Sequence, residues 1–331
     1  MRCSTPAARA AAANQFMAGL QLVENRGKVR ANFEYFAARL LFSSLALLPR
    51  SVAMSMGRVL ARFAYFASRK LRRIGDLNLK MAFPHMRPTE RERLLRDSMV
   101  NLGRHLGEFS RFSRITPERL RQTVDVEGLE HLDNARSAGR GVIIITGHLG
   151  AWETVGFGLA AFGYPFNFLV RRIENPAIEQ LIEDIRVRFG NRTIDKRFAA
   201  RLMLKTLQSG GMLGVLVDIN MVRDKGIFVD FFGVPASTTF LAAKLALRTG
   251  AVMVPIFAPW DERRKRFMID IQPPLTIERS DDEERDIRQL TIKFTKTVED
   301  YIRLYPDQWL WIHKRWRTRP VGEKNFYEAI T

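Results

Sequence analysis

Hydrophobic and polar positions follow two periods along this chain. Residues 141–146 (Gly-Val-Ile-Ile-Ile-Thr) are an unbroken apolar, β-branched run. Such a run suits a strand covered on both faces of a parallel sheet. Short runs at 124–127, 166–170, 212–217 and 252–257 also read as strands, and 267–271 alternates as a more exposed strand. Between them the spacing turns helical, at 129–137, 151–162, 176–189, 197–208, 239–249 and 284–305. A helix over 87–116, capped by Thr89, and a short turn opened by Thr116-Pro117 precede the first strand. Strands alternating with helices predict the α/β class: a mainly parallel central sheet flanked by helices, one unit over 75–322.

The N-terminal pattern is different. Residues 33–49 and 52–68 are the most apolar stretches of the chain, broken by Arg39, Pro49, Arg58 and Arg62. The first run is shorter than the roughly 20 apolar residues that a spanning helix needs. Residues 33–74 therefore read as membrane-anchoring helices, a hairpin lying in one leaflet with its arginines reaching the headgroups. A single tilted span from Phe33, or a buried amphipathic pair, are the other readings. Residues 1–32 form a basic, Ala-rich tail without a secretory signal, and 323–331 a short C-terminal tail.

Charge sharpens this picture. The 331 residues carry 53 Lys/Arg against 35 Asp/Glu, a formal +18, so an anionic partner is required. From Met1 to Gly75 there are thirteen Lys/Arg and two acids, Glu24 and Glu34. Arg69, Lys70, Arg72 and Arg73 follow the apolar stretch directly, which favours the cytoplasmic, anionic side of a membrane. Cys3 is the sole cysteine, which excludes an intrachain disulfide and any cysteine-cluster metal site. No metal or cofactor is expected.

Candidate chemistry lies at the end of the 141–146 strand, where α/β folds place their sites. Gly147-His148-Leu149-Gly150 allows a tight turn, and His148 is a general base suited to neutral pH. Glu153, five residues on, is a candidate to hold its second ring nitrogen, provided that His148 precedes the helix. The alternative is a capping His beside a Glu that offsets the helix dipole. With no Gly-x-Ser-x-Gly elbow and no phosphate loop, a His and a carboxylate without a nucleophile suggest attack by a substrate hydroxyl.

These blocks resemble the lysophospholipid acyltransferase superfamily and, within it, the bacterial lipid A biosynthesis acyltransferases of the lauroyl/myristoyl type. The His-x₄-Glu block is joined, in order, by Phe168–Arg172, Glu174-Asn175-Pro176, Arg186-Val-Arg188, Val217-Asp218-Ile-Asn220, Val229–Thr239 and Tyr305–Pro320. The likeness covers about residues 30–322. Glu at 153, where many superfamily members have Asp, and the lack of a Glu-Gly-Thr-Arg-like block fit the lipid A branch. The resemblance implies acyl transfer from an acyl-carrier-protein thioester to a hydroxyl of a lipid A precursor, at the cytoplasmic face of the bacterial inner membrane. It implies His148 as base oriented by Glu153, and Arg171, Asp218, Asn175 and Arg188 as substrate-binding residues. Arg171 suits phosphate or phosphopantetheine. Asp218 would orient Arg171 or the acceptor sugar, or serve only as a cap.

The partners so implied are the carrier protein or acyl-CoA, the glycolipid and an anionic membrane surface, and not nucleic acid. An acyl-CoA-dependent enzyme acting on another glycolipid, such as a phosphatidylinositol mannoside, matches the same blocks. A non-catalytic basic module binding membrane or nucleic acid is the alternative from another class. Trp309, Trp311 and Trp316 interleave with Lys314, Arg315, Arg317 and Arg319, which suits a membrane interface or, for the first two Trp, the core. Phe228, Phe231 and Phe232 are candidates for an acyl groove or for the core, and His313 for a structural role.

Overall fold

In the computed structural model, which describes residues 6–170, 173–195, 199–277 and 279–330, Pro49 separates the first two helices. Helix α1 (Pro6–Leu47) runs without a break across the boundary expected at residue 32, and α2 is Arg50–Ala67. Helix α3 (Arg69–Ala82) starts at Ser68, whose hydroxyl caps Leu71 N–H. Then come α4 (Pro88–Arg111), α5 (Pro117–Arg121), β1 (Val124–Glu127), α6 (Leu129–Ser137), β2 (Val142–Thr146), α7 (Trp152–Ala161), β3 (Asn167–Val170), α8 (Pro176–Arg186), β4 (Arg192–Asp195), α9 (Ala199–Gln208), β5 (Met212–Leu216), β6 (Ile227–Phe231), β7 (Val234–Thr238), α10 (Leu241–Thr249), β8 (Val252–Phe257), β9 (Trp260–Asp261), β10 (Arg266–Ile271) and α11 (Glu283–Leu304).

The sheet order is β1-β10-β8-β2-β5-β3-β4, with β9 paired to β10. Pairing is parallel from β8 through β2, β5 and β3 to β4, and antiparallel between β10 and β8. The α/β class read from the sequence is therefore the observed one. Every residue of β2 is buried. Its alternation divides the core in two: Ile143 and Ile145 join Leu213, Val215, Phe294 and Val298 on one side, while Val142 and Ile144 join Phe157, Ile182 and Ile269 on the other. Residues 227–238, which hold most of the Val229–Thr239 block, form the β6–β7 hairpin.

The N-terminal helices divide by face. Helix α2 buries Ala53, Met54, Gly57, Ala61 and Tyr65, and packs on α4 through glycines. A Cβ added at Gly57 would lie 2.0 Å from Gly103 O, and one at Gly107 2.5 Å from Ala53 O. Only the absence of side chains lets these backbones approach so closely. The other faces of α1 and α2 expose Phe33, Phe36, Leu40, Val59, Phe63 and Phe66 beside the exposed Arg39 and Arg62. No described helix is long and apolar enough to cross a membrane.

The boundary expected at 74/75 falls inside α3, which buries Ile74, Asn78 and Leu79 in the main core. Asn78 Nδ2 donates to His313 O at 2.7 Å, so α3 is tied to the C-terminal segment. The expected C-terminal tail also contributes to the core, for Tyr327 is buried and donates its hydroxyl to Asn78.

Candidate active site

The parallel register of β2 and β5 builds the site. Thr146 pairs with Leu216, so the residues two positions beyond each strand end, His148 and Asp218, emerge side by side. Gly150 has φ +61°, and a Cβ there would lie 2.1 Å from Ala258 O. A glycine is therefore required for the turn to pass β8. The turn is further pinned by Gly150 N–H to Gln308 O at 2.9 Å and by Leu310 N–H to His148 O at 3.0 Å.

Asp218 is buried and accepts three hydrogen bonds. His148 Nδ1 meets Oδ1 at 2.9 Å, while His148 N–H at 2.6 Å and Trp309 Nε1–H at 2.8 Å both reach Oδ2. A carboxylate only accepts, so Nδ1 carries the proton and Nε2 keeps its lone pair for a substrate. Burial opposes the ionised form of both groups. The attraction between them, with these hydrogen bonds, outweighs it: Asp218 is held well below the usual carboxylate range, and His148 is raised above the usual imidazole value. The His148 side chain is 21% exposed against 1% for Asp218, so the imidazole faces outward over a buried carboxylate.

Glu153 is placed differently from the expectation. It lies in the first turn of α7 and forms a bidentate pair with Arg186 at the end of α8, with Nε to Oε2 at 3.2 Å. The group holding His148 Nδ1 is Asp218. Glu153 stands in the first turn of α7 and faces α8, while Asp218, beyond β5, occupies the Nδ1 side of the His148 ring. Glu153 nonetheless acts on His148 through space, since its charge favours the imidazolium. Trp152 lies between the two histidines, edge-on to the His148 ring at 5.1 Å and tilted against that of His105 at 4.2 Å. His105 is buried with Nδ1 lacking a partner, and burial lowers its pKa to about 4.

Among the remaining candidates, Arg171 lies outside the described residues. Asn175 caps α8 through Ala177 and Ile178 N–H, and its Nδ2 donates to Ala31 O at 2.8 Å, holding α1 against α8. Arg188 donates to Phe112 O at 2.8 Å and lies over the Phe189 ring. These contacts tie Asn175 to α1 and Arg188 to the end of α4, and Asp218 is a partner of His148. The C-terminal tryptophans are core, not interface: Trp309, Trp311 and Trp316 are all buried. Arg315 is buried with them and donates to Ser237 O at 2.8 Å, and His313 Nε2 accepts from Asn220 N–H at 3.0 Å. Phe231 and Phe232 are buried in the same cluster. Among the described residues, no three His, Cys, Asp or Glu side chains converge as metal ligands.

Residues 26–318 match the family model described as bacterial lipid A biosynthesis acyltransferase. The chain belongs to the bacterial lipid A biosynthesis acyltransferase family. It is 26% identical to the Lipid A biosynthesis acyltransferase of Haemophilus influenzae, over 77% of this chain and 78% of that protein. It is 27% identical to the Lipid A biosynthesis lauroyltransferase of Escherichia coli, over 76% and 80%. A Phosphatidylinositol mannoside acyltransferase of Mycobacterium tuberculosis is 25% identical, over 66% and 69%. This family member is thus an acyltransferase, and its central histidine, carboxylate and buried indole lie within the matched residues.

The roles of Trp309 and Arg186 are not marked by the local sequence. The signal for Asp218 as the partner of His148 is its position: each residue stands two places beyond a strand, on neighbours in the sheet.

Proposed function

We propose that this acyltransferase moves a fatty acyl chain from an acyl-carrier-protein thioester to a hydroxyl of a lipid A precursor, with His148 as general base. The observation that carries the reading is the 2.9 Å contact between His148 Nδ1 and Asp218, which fixes the tautomer whose Nε2 can take a proton. The acceptor hydroxyl gives its proton to Nε2, and its oxygen attacks the thioester carbonyl. The tetrahedral adduct collapses with cleavage of the C–S bond, and the imidazolium returns its proton to the leaving sulfur. Asp218 stabilises the imidazolium, and Glu153 adds to this from the Arg186 pair. Arg171 remains the candidate for an anionic group of the substrate.

The same reading puts the enzyme on the cytoplasmic face of the inner membrane. The exposed apolar stripe of α1 and α2 and its arginines support this. So does the Asn175 tie, because α8 begins beyond the carboxyl end of β3, the end of the sheet where His148 lies. The test is incubation of the purified protein with anionic vesicles, a lipid A precursor and either acyl-carrier-protein or acyl-CoA donor, read by mass spectrometry of the lipid. One added acyl mass from the carrier-protein donor is expected. The similarity to a phosphatidylinositol mannoside acyltransferase supports a second reading, in which acyl-CoA and that glycolipid give the product instead.

A further inference from the structure

The C-terminal segment after α11 wraps the end of β5 from outside. Trp309 reaches Asp218, His313 takes Asn220 N–H, and Arg315 donates to Ser237 O while its second nitrogen bonds Thr238. Of these, one contact touches the group that holds the base. Asp218 Oδ2 is shared between His148 N–H and the Trp309 indole, and both donors come from backbone or ring atoms that cannot rotate away. The indole is itself fixed: Trp309 is buried, 5.7 Å from the Phe231 ring and 4.7 Å from that of Trp311. The Trp309 backbone is also bound to the turn that carries His148, through the bridge between Leu149 and Trp309.

Resting on the proposed role of His148, we infer that Trp309 is a positioning residue for proton transfer: its indole N–H locks the Asp218 carboxylate in the orientation that presents Oδ1 to His148 Nδ1. The carboxylate has one torsion that matters here, rotation about its bond to Cβ. Two donors on one oxygen leave a single favourable setting, with the other oxygen aimed at the imidazole. With the indole N–H removed, the carboxylate is held only by the two donors of His148 itself, its N–H and its Nδ1–H, so nothing independent of the histidine sets that torsion and the Oδ1 contact loosens. The charged and titratable groups around His148 are Asp218 beyond β5, Glu153 on α7, His105 on α4 behind Trp152, and His313 on the C-terminal segment, with Arg315 acting on Asp218. Of these, Asp218 is the one in direct contact with the ring, so its orientation governs how strongly the imidazole holds a proton.

The test replaces the donor and keeps the shape. β-(3-Benzothienyl)alanine at position 309 exchanges the indole N–H for sulfur at nearly constant volume, and Trp309→Phe is its genetically simple companion. The same replacement at Trp311, whose indole donates to Pro306 O at 2.7 Å and does not touch Asp218, is the matched control. The 309 replacement is expected to lower kcat about tenfold, the usual scale for a hydrogen bond to a charged group, with KM changed by less than about twofold. The acidic limb of the kcat/KM profile should move to lower pH, and the His148 Nδ1 proton should lose its downfield NMR position. The 311 replacement should leave both unmoved. Wild-type kcat and an unmoved acidic limb in the 309 replacement would overturn the inference. Full activity in His148→Ala would instead refute the base itself, so the two failures are distinguishable.

Discussion

Asp218→Asn isolates the charge that organises the site. Asp218 Oδ2 receives two N–H donors, at 2.6 and 2.8 Å, and Oδ1 faces His148 Nδ1 at 2.9 Å. An asparagine must therefore place its amide oxygen on the two donors, since the flipped orientation sets its NH₂ against both. The NH₂ then faces His148 Nδ1 and makes that nitrogen an acceptor. The ring proton moves to Nε2, the position that should receive the substrate proton. The variant thus keeps its hydrogen bonds and volume but holds the wrong tautomer. In triad enzymes the same change costs on the order of 10⁴ in kcat, and a loss of 10³–10⁴, or about 4–5.5 kcal/mol in the barrier, is expected here. Single-turnover acyl transfer measures it, with thermal unfolding to show an intact fold. A kcat within about tenfold of wild type would refute the assignment of Asp218 as the orienting group.

Four further outcomes follow from other contacts and from the titration of His105 and His148. Gly103→Ala drives a Cβ to 2.3 Å from Gly57 O, so the α2–α4 crossing should open at a cost of about 2–3 kcal/mol, read as a lowered Tm. Glu153→Ala and Arg186→Ala should each destabilise the protein by about 2 kcal/mol, and a double-mutant cycle on unfolding should return a coupling of about 1 kcal/mol or more. His105 binds its proton only near pH 4 in the folded protein, against 6.5 when unfolded, so its folded pKa is depressed. The unfolded state then takes up the extra proton as pH falls below 6.5, and about 3 kcal/mol of stability is lost by pH 4. His105→Phe, which keeps a ring against Trp152, should lower the midpoint of acid unfolding. His148 has the opposite sign: its raised pKa adds stability below pH 6.5 that fades as pH rises through the raised value.

Much of the sheet was legible because its strands are buried on both faces. Val142–Thr146, Met212–Leu216 and Val252–Phe257 are near-continuous apolar runs, and Gly141, Gly211 and Gly250 precede them. The site was legible as far as His148, which the turn after β2 announces. Its partner was not, because seventy residues separate His148 from Asp218 and only strand order brings them together. Glu153 was the nearer carboxylate in sequence, but a helix turns its side chain toward Arg186. The C-terminal tryptophans were ambiguous for a related reason. Alternating aromatic and basic residues suit a membrane surface, and they equally suit a buried segment whose arginine ends on backbone carbonyls, as Arg315 does. The N-terminal boundary escaped because α3 is highly charged overall, yet its Ile74, Asn78 and Leu79 face is packed in the main core.

The central claim is that one imidazole removes the proton from the acceptor hydroxyl. Its most direct measurement is the rate of acyl transfer to the lipid A precursor by His148→Ala, with purified acyl-carrier-protein donor and the lipid product weighed by mass spectrometry. The account predicts no product above the uncatalysed background at times when the wild-type enzyme has converted its substrate completely. Conversion at the wild-type rate would contradict it.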